Sequence, residues 1–479
     1  MPISSKSGGI ANGGDPAGYH RGVNPPPPAR ALPADDSQRE LLHNEVHARP
    51  SARIRLPALV VYVAVLNQGV SREDECAHLR RLPGQQGLEP ADLQRNFLRL
   101  RLGNHTIKWE RHSEFTRYSI VQPLPAGVGL DADADKVRGE PELLPSLVVD
   151  AQWLSEIPGR TVAAIKLVMA HGGLDDAPAV VERARRWFGG AQVVASRLGA
   201  GGSGGGHPAD GHSMAVTDFR LRPNGFERML VIAPPGTSES RAGRISQRLL
   251  EIETYRLMAL RGLPVAKALA PMLAESERAL ADITARLEGT QSSDQALLDT
   301  LIALAARVER ATAEHGYRFS ATQAYDALVR LRIGELREKA VSGTQTLGEF
   351  MQHRLSPAIA TVAATAQRLA SLSQRIERTS ALLRTRVDIT TEAQNQQLLA
   401  KLTRGQELQL RLQTTVEGLS IAAISYYVVS LVLYGGKAAK AAGLHLEPEL
   451  LAGASIPLVL WAVWKATQRI HKRLYHDRD

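Results

Sequence analysis

Gly418–Gly436 reads GLSIAAISYYVVSLVLYGG and carries no charged side chain. A helix rises 1.5 Å per residue, so about 20 apolar residues cross a hydrocarbon core of roughly 30 Å. This stretch meets that length. A second uncharged stretch, Leu450–Trp464 (LLAGASIPLVLWAVW), follows after a short connection. Alone it covers only about 22 Å, so it must borrow length from Leu446–Leu450 or from the Lys465 stem. Tyr426, Tyr427 and Tyr434 lie in or beside the first stretch, and Trp461, Trp464 and Lys465 close the second. Aromatic rings and snorkelling lysines at segment ends suit a membrane interface. The reading is a C-terminal two-helix transmembrane hairpin over 418–467, with spans 418–436 and 450–466 and a basic tail over 468–479. A buried helical hairpin of a soluble bundle is the competing reading.

The flanks set the expected topology. Lys401, Arg404 and Arg411 precede the first span, and Lys465, Arg469, Lys472, Arg473 and Arg478 follow the second. The connection offers only Lys437 and Lys440. Basic residues near membrane ends stay cytoplasmic, so both termini are expected there, with the lipid bilayer as the first partner. A secretory signal peptide is not expected, because no apolar run follows the first positive charges. The single cysteine, Cys76, excludes an intramolecular disulfide framework and fits a reducing compartment.

Upstream, residues 237–417 offer hardly a strand candidate and are rich in Ala, Leu, Arg, Glu and Gln. An all-α bundle is expected, broken at Gly262–Pro264, near Gly289, around Gly316 and near Ser356–Pro357. Leu369, Leu372, Ile376, Leu383 and Val387 keep near-heptad spacing, and Leu398, Leu402, Leu412, Val416 and Leu419 resume it after a phase shift. Such spacing suits a coiled-coil stalk, and with it a homo-oligomer, or a bundle seam.

Residues 32–236 read differently. The Val-rich run Leu56–Leu66 predicts a buried strand and Ser71–Arg81 a helix. Phe97–Leu102, Thr106–Glu110 and Thr116–Val121 predict consecutive strands. A looser second set follows: strand Thr161–Met169, helix Ala177–Phe188, strand Ala191–Arg197, and a hairpin of Met214–Leu221 with Phe226–Ile232. An α+β domain is expected, of two related halves. Before it, residues 1–31 carry Pro25–Pro28 and paired glycines without an apolar core, and read as a disordered tail. Over all 479 residues, 44% hydrophobic and 22% charged content suits more than one core, and the net charge of +9 is spread rather than blocked.

Motifs with chemistry are few. His43 and His47 stand at i and i+4, which places two imidazoles on one helix face as a zinc site requires. A third ligand would come from His105, His112, Glu114, His207 or His212. A ligand pocket without metal is the alternative, formed by His43, His47, Arg49, Trp109, His112 and Glu114. Arg39, Arg49, Arg53, Arg55, Arg111 and Arg117 add guanidinium forks suited to an anionic ligand. Gly199–Gly204 (GAGGSG) matches a dinucleotide fingerprint, but Pro208, Gly211 and a strand follow instead of a helix, so a hairpin loop is expected. No nucleic-acid-binding motif is present, and no cofactor is indicated.

The segments Leu41–Pro50 (LLHNEVHARP), Trp109–Tyr118, Arg244–Gly262 and Leu408–Tyr427 resemble domain-of-unknown-function family 3422, bacterial proteins described as membrane-anchored. The resemblance implies an inner-membrane address and no active site. More distantly, the layout resembles that of CorA-type magnesium channels, although Tyr434-Gly435-Gly436-Lys437 stands where those carry Gly-Met-Asn. The reading is a membrane-anchored cytosolic binding or scaffold protein without evident catalysis. A channel subunit of oligomerised hairpins, its pore lined by Ser420, Ser425 and Ser430, is the alternative. A metal-dependent hydrolase centred on His43 and His47 is a third.

Overall fold

The computed structural model describes residues 35–39, 42, 52–124, 148–201, 211–289, 294–443 and 447–476. The expected tail over 1–31, and His43, His47 and Arg49, lie outside the described residues. The strands are β1 (Ala58–Leu66), β2 (Phe97–Leu102), β3 (His105–Arg111), β4 (Phe115–Pro123), β5 (Arg160–His171), β6 (Val194–Leu198), β7 (Ser213–Thr217), β8 (Glu227–Ala233) and β9 (Lys339–Ala340). The helices are α1 (Arg72–Arg80), α2 (Ala151–Ser155), α3 (Ala177–Trp187), α4 (Glu239–Leu260), α5 (Gly262–Glu288), α6 (Asp294–Leu336), α7 (Leu347–Arg354), α8 (Ser356–Ala441) and α9 (Pro448–His476). They form two compact units: Met1–Ala259 with Ala324–Ser356, and Leu260–Gln323 with Pro357–Asp479.

The first unit is built on a mixed nine-stranded sheet of order β2-β3-β4-β1-β5-β8-β7-β6-β9. Every residue of β1 is buried, because a central strand covered on both faces has no solvent side. Alternation sorts the neighbours. Ile107, Trp109, Tyr118 and Ile120 join Val61 and Val63 in one core, with Cys76 and Leu79 of α1, Trp153 of α2 and Val180, Val181 and Ala184 of α3. The alternate residues face α4 and the end of α6: Tyr62 bonds Thr254, and Phe115 packs against Tyr255 and Tyr325. The helix α1 starts where a capping box forms between Ser71 and Asp74, satisfying amides that the first turn leaves open.

The two expected halves share an order of elements but differ in sense. In each, a strand and a helix lead into three strands, the last returning beside the first. β4 runs antiparallel to β1, whereas β8 runs parallel to β5.

The second unit has a helical core. Leu269, Leu273 and Leu280 of α5, Leu301, Leu304 and Val308 of α6, and Leu369, Leu372, Ile376 and Leu383 of α8 pack together. The first heptad set is thus a bundle seam. Arg386 donates to the carbonyls of Leu287 and Gly289 and pairs with Asp294 at 3.3 Å. One guanidinium therefore caps the end of α5 and ties it to the start of α6. The break expected at Gly316 does not occur. α6 runs through it, since one glycine costs a helix only about 1 kcal/mol against alanine.

Among the described residues, three helical stretches are long and apolar enough to cross a membrane: Glu239–Leu287, Leu347–Ala441 and Pro448–Arg469. In the first, 33% of the apolar window is buried inside the fold. In the other two only 6% and 11% is buried.

Candidate functional site: an arginine-lined cleft

Period-two alternation on β3 and β4 sends Trp109 and Tyr118 to the apolar core and Lys108, Glu110 and Arg117 to the opposite face, under α4. There Arg117 donates from Nε and Nη2 to Glu110 at 2.6 and 2.9 Å, and from Nη1 to Glu251 of α4 at 3.0 Å. Lys108 meets Glu110 at 3.0 Å. Arg332 of α6 donates to Glu251 at 2.5 Å and to Glu335 at 3.0 Å, and Arg248 of α4 completes the chain on Glu335 at 3.1 Å. Burial opposes ionisation of Glu110, but Arg117 and Lys108 outweigh it and hold the carboxyl down at about 2. Burial likewise opposes the charge on Arg117, and Glu110 and Glu251 overcome it, so its guanidinium stays protonated. A void of about 30 Å³ remains beside these groups, room for one water. Three carboxylates and four cationic side chains held this tightly form a structural junction between sheet and helices, and a void of that size admits no substrate.

The chain of ion pairs leads to open space. Arg248 and Glu335 line a cleft of about 300 Å³ with Arg241, Arg244, Arg337, His212 and Ser213, floored by Leu198, Ile245 and Leu336. Residues three and four apart share a helix face, so α4 presents Arg241, Arg244 and Arg248 together. Two backbone features shape the opposite wall. Gly211 has φ +90°, and a side chain there would meet Leu198 O at 3.1 Å. The Gly199 and Ala200 amides donate to Leu336 O and Arg337 O at 2.8 and 3.0 Å, tying β6 to the end of α6.

Of the residues expected to form a pocket, His43, His47 and Arg49 lie outside the described residues, and Trp109 lies apart from His112 and Glu114. Trp109 is buried in the core beneath α1 and α2. His112 and Glu114 sit in the β3–β4 turn, where His112 stacks on Phe115 with centroids 4.5 Å apart, and Asn67 holds both backbone carbonyls. His105 begins β3 and His112 follows its end, so at about 3.4 Å per residue they are too far apart to share an ion. Among the described residues no three His, Cys, Asp or Glu side chains converge to hold a metal. Arg111 and Arg117, expected to meet an anion, are paired inside instead, Arg111 with Glu75 at 2.8 Å. The cleft arginines were missed because RAGRISQR (241–248) reads as ordinary helix texture. The signal was their spacing on one face, beside the buried stripe of Ala242, Ile245 and Leu249.

Fold and site together define a mixed-sheet protein with a basic cleft, followed by long helices whose last apolar surfaces are uncovered. The chain belongs to the family described as Protein of unknown function (DUF3422), which it matches over residues 34–474. No curated protein and no solved structure matches it.

Proposed function

We propose that this is a membrane-anchored binding protein. Its C-terminal hairpin, spans 418–436 and 450–466, crosses a bacterial inner membrane, and the sheet unit binds its ligand in the cytoplasm. The observation that carries the reading is the uncovered apolar surface of α8 and α9. Leu419, Tyr426, Tyr427, Leu431, Leu450 and Leu458 are each at least two-thirds exposed, a surface that water disfavours and a bilayer accepts. Gly436 supports a tight return, since a Cβ there would meet Pro448 at 3.3 Å, and Lys440 pairs with Glu447 across the connection at 3.1 Å. Leu398, Leu402, Leu412 and Val416 are also exposed, on a stretch of α8 without packing partners among the described residues. Their spacing supports a homo-oligomeric coiled-coil stalk. The channel alternative gains no support from Ser430, whose hydroxyl donates to Tyr426 O of its own helix at 2.8 Å.

Alkaline carbonate extraction tests the anchor. The full chain is expected to stay in the membrane pellet, whereas a peripheral protein is released. Recovery in the soluble fraction would overturn the reading.

A further inference from the structure

We infer that the arginine cleft of the sheet unit binds a small phosphate-bearing ligand through Arg241, Arg244 and Arg337. The inference deepens the binding half of the proposed function and does not depend on the anchor.

Four guanidiniums and one carboxylate line this cleft. Glu335 compensates Arg248, and Arg332 holds the same carboxylate from behind. Arg241, Arg244 and Arg337 have no ion pair among the described residues. Like charges gathered around one concavity raise its potential, which an anion lowers. Arg241 and Arg244 also stand in the opening turns of α4, where the helix dipole adds positive potential. Arg337 follows the end of α6 with φ +48°, and its amide and carbonyl are both engaged, by Gly334 O and by the Ala200 amide. Its backbone is therefore fixed at the rim.

A second observation points to a ligand independently of charge. Ser213 is fully buried on the wall of this cleft, and its hydroxyl has no hydrogen-bond partner among the described residues. Buried hydroxyls are nearly always paired, so an unpaired one beside open volume is a donor awaiting an acceptor. The chemistry selects the ligand class. Three unpaired guanidinium forks exceed what one carboxylate neutralises, whereas a phosphate brings about two negative charges and three acceptor oxygens. Leu198, Ile245 and Leu336 offer an apolar floor for the remainder of the molecule. The volume of about 300 Å³ lies at the small end of ligand sites. A soluble phosphate ester and a lipid phosphate headgroup share this chemistry.

The test uses the full chain, with wild type, the double variant R244A/R337A, and R160A as a control arginine on the exposed end of β5. Matching circular dichroism checks that the variants fold, as expected for exposed, unpaired side chains. One arm titrates sodium pyrophosphate by calorimetry into protein in neutral detergent. The other measures capture of soluble phosphatidate by protein in phosphatidylcholine nanodiscs. Saturable binding in either arm, weakened at least tenfold in R244A/R337A, unchanged in R160A and falling with added salt, is the expected result, and the responding arm names the source. Equal affinity for wild type and the double variant in both arms, or no saturable binding in either, overturns the inference. Carbonate extraction of R244A/R337A stays that of wild type, so failure here is distinct from failure of the anchor.

Discussion

Replacing Arg117 by methionine removes the hub of the buried ion-pair chain while keeping a long unbranched side chain. The substitution leaves Glu110 with Lys108 alone, and Glu251 with Arg332 and Gln247. The side chains of Glu110 and Glu251 are 0% and 4% exposed, so water cannot replace what is lost. Removing one partner of a buried pair costs about 3–5 kcal/mol, and the remaining cations place this case near 3. At about 2–4 °C per kcal/mol for a domain of this size, Tm falls by roughly 6–12 °C. Unfolding of the full chain in detergent, followed by tryptophan fluorescence, reports it, because Trp109 and Trp153 are buried in the sheet unit. The pH dependence gives a second reading. A carboxyl held near 2 instead of 4.5 contributes stability that is present above 4.5 and lost as pH falls toward 2. The gap between wild type and R117M should therefore close over that window. A Tm change under about 2 °C at pH 7, with no convergence in acid, would refute the reasoning.

Three other outcomes follow from particular contacts. G243A should destabilise the sheet unit by at least about 2 kcal/mol in urea, because its Cβ would lie 1.6 Å from the backbone carbonyl of Ala52, which cannot rotate away; a neutral result removes the close approach of segment 52–54 to α4. Burial, and then the neighbouring Glu253, push the Glu227 carboxyl up to about 8. Stability from its neutral form is lost as pH rises from about 4.5 to about 8. E227Q cannot ionise, so it should gain on wild type across that window, and a constant difference between the two from pH 5 to 9 contradicts the assignment. In topology mapping, a periplasm-active reporter should work when inserted at Gly443 and fail after Asp479; the reverse pattern overturns the orientation.

Much of the sheet was legible because its residues obey local rules. β1 is Val-rich and uninterrupted, β2 to β4 alternate between faces, and Ser71 caps α1 as its own side chain dictates. Sequence could not reveal that α4 belongs with the sheet. Its apolar stripe is the same whether it faces a bundle or a strand layer, and only the long-range partners of Glu251 and Thr254 decide. The same limit hid the candidate site. Arg117 and Arg244 are equal as letters, but one meets two carboxylates across the fold and the other meets none among the described residues. Gly316 failed as a helix breaker for an energetic reason, since the tertiary contacts of α6 outweigh a single glycine. The heptad of α8 was ambiguous by nature. Leu369 to Leu383 are covered by neighbouring helices and Leu398 to Val416 are not, although both sets repeat alike.

Quenching of tryptophan fluorescence by brominated lipid tests the central claim most directly. The chain has five tryptophans, of which Trp109 and Trp153 are buried in the sheet unit and Trp461 and Trp464 lie exposed on α9. Lipids brominated on the acyl chain quench only rings within contact distance of the hydrocarbon. In reconstituted vesicles the account predicts substantial quenching of wild type that disappears in W461F/W464F. Equal emission in brominated and ordinary lipid would contradict a bilayer around the uncovered face of α9.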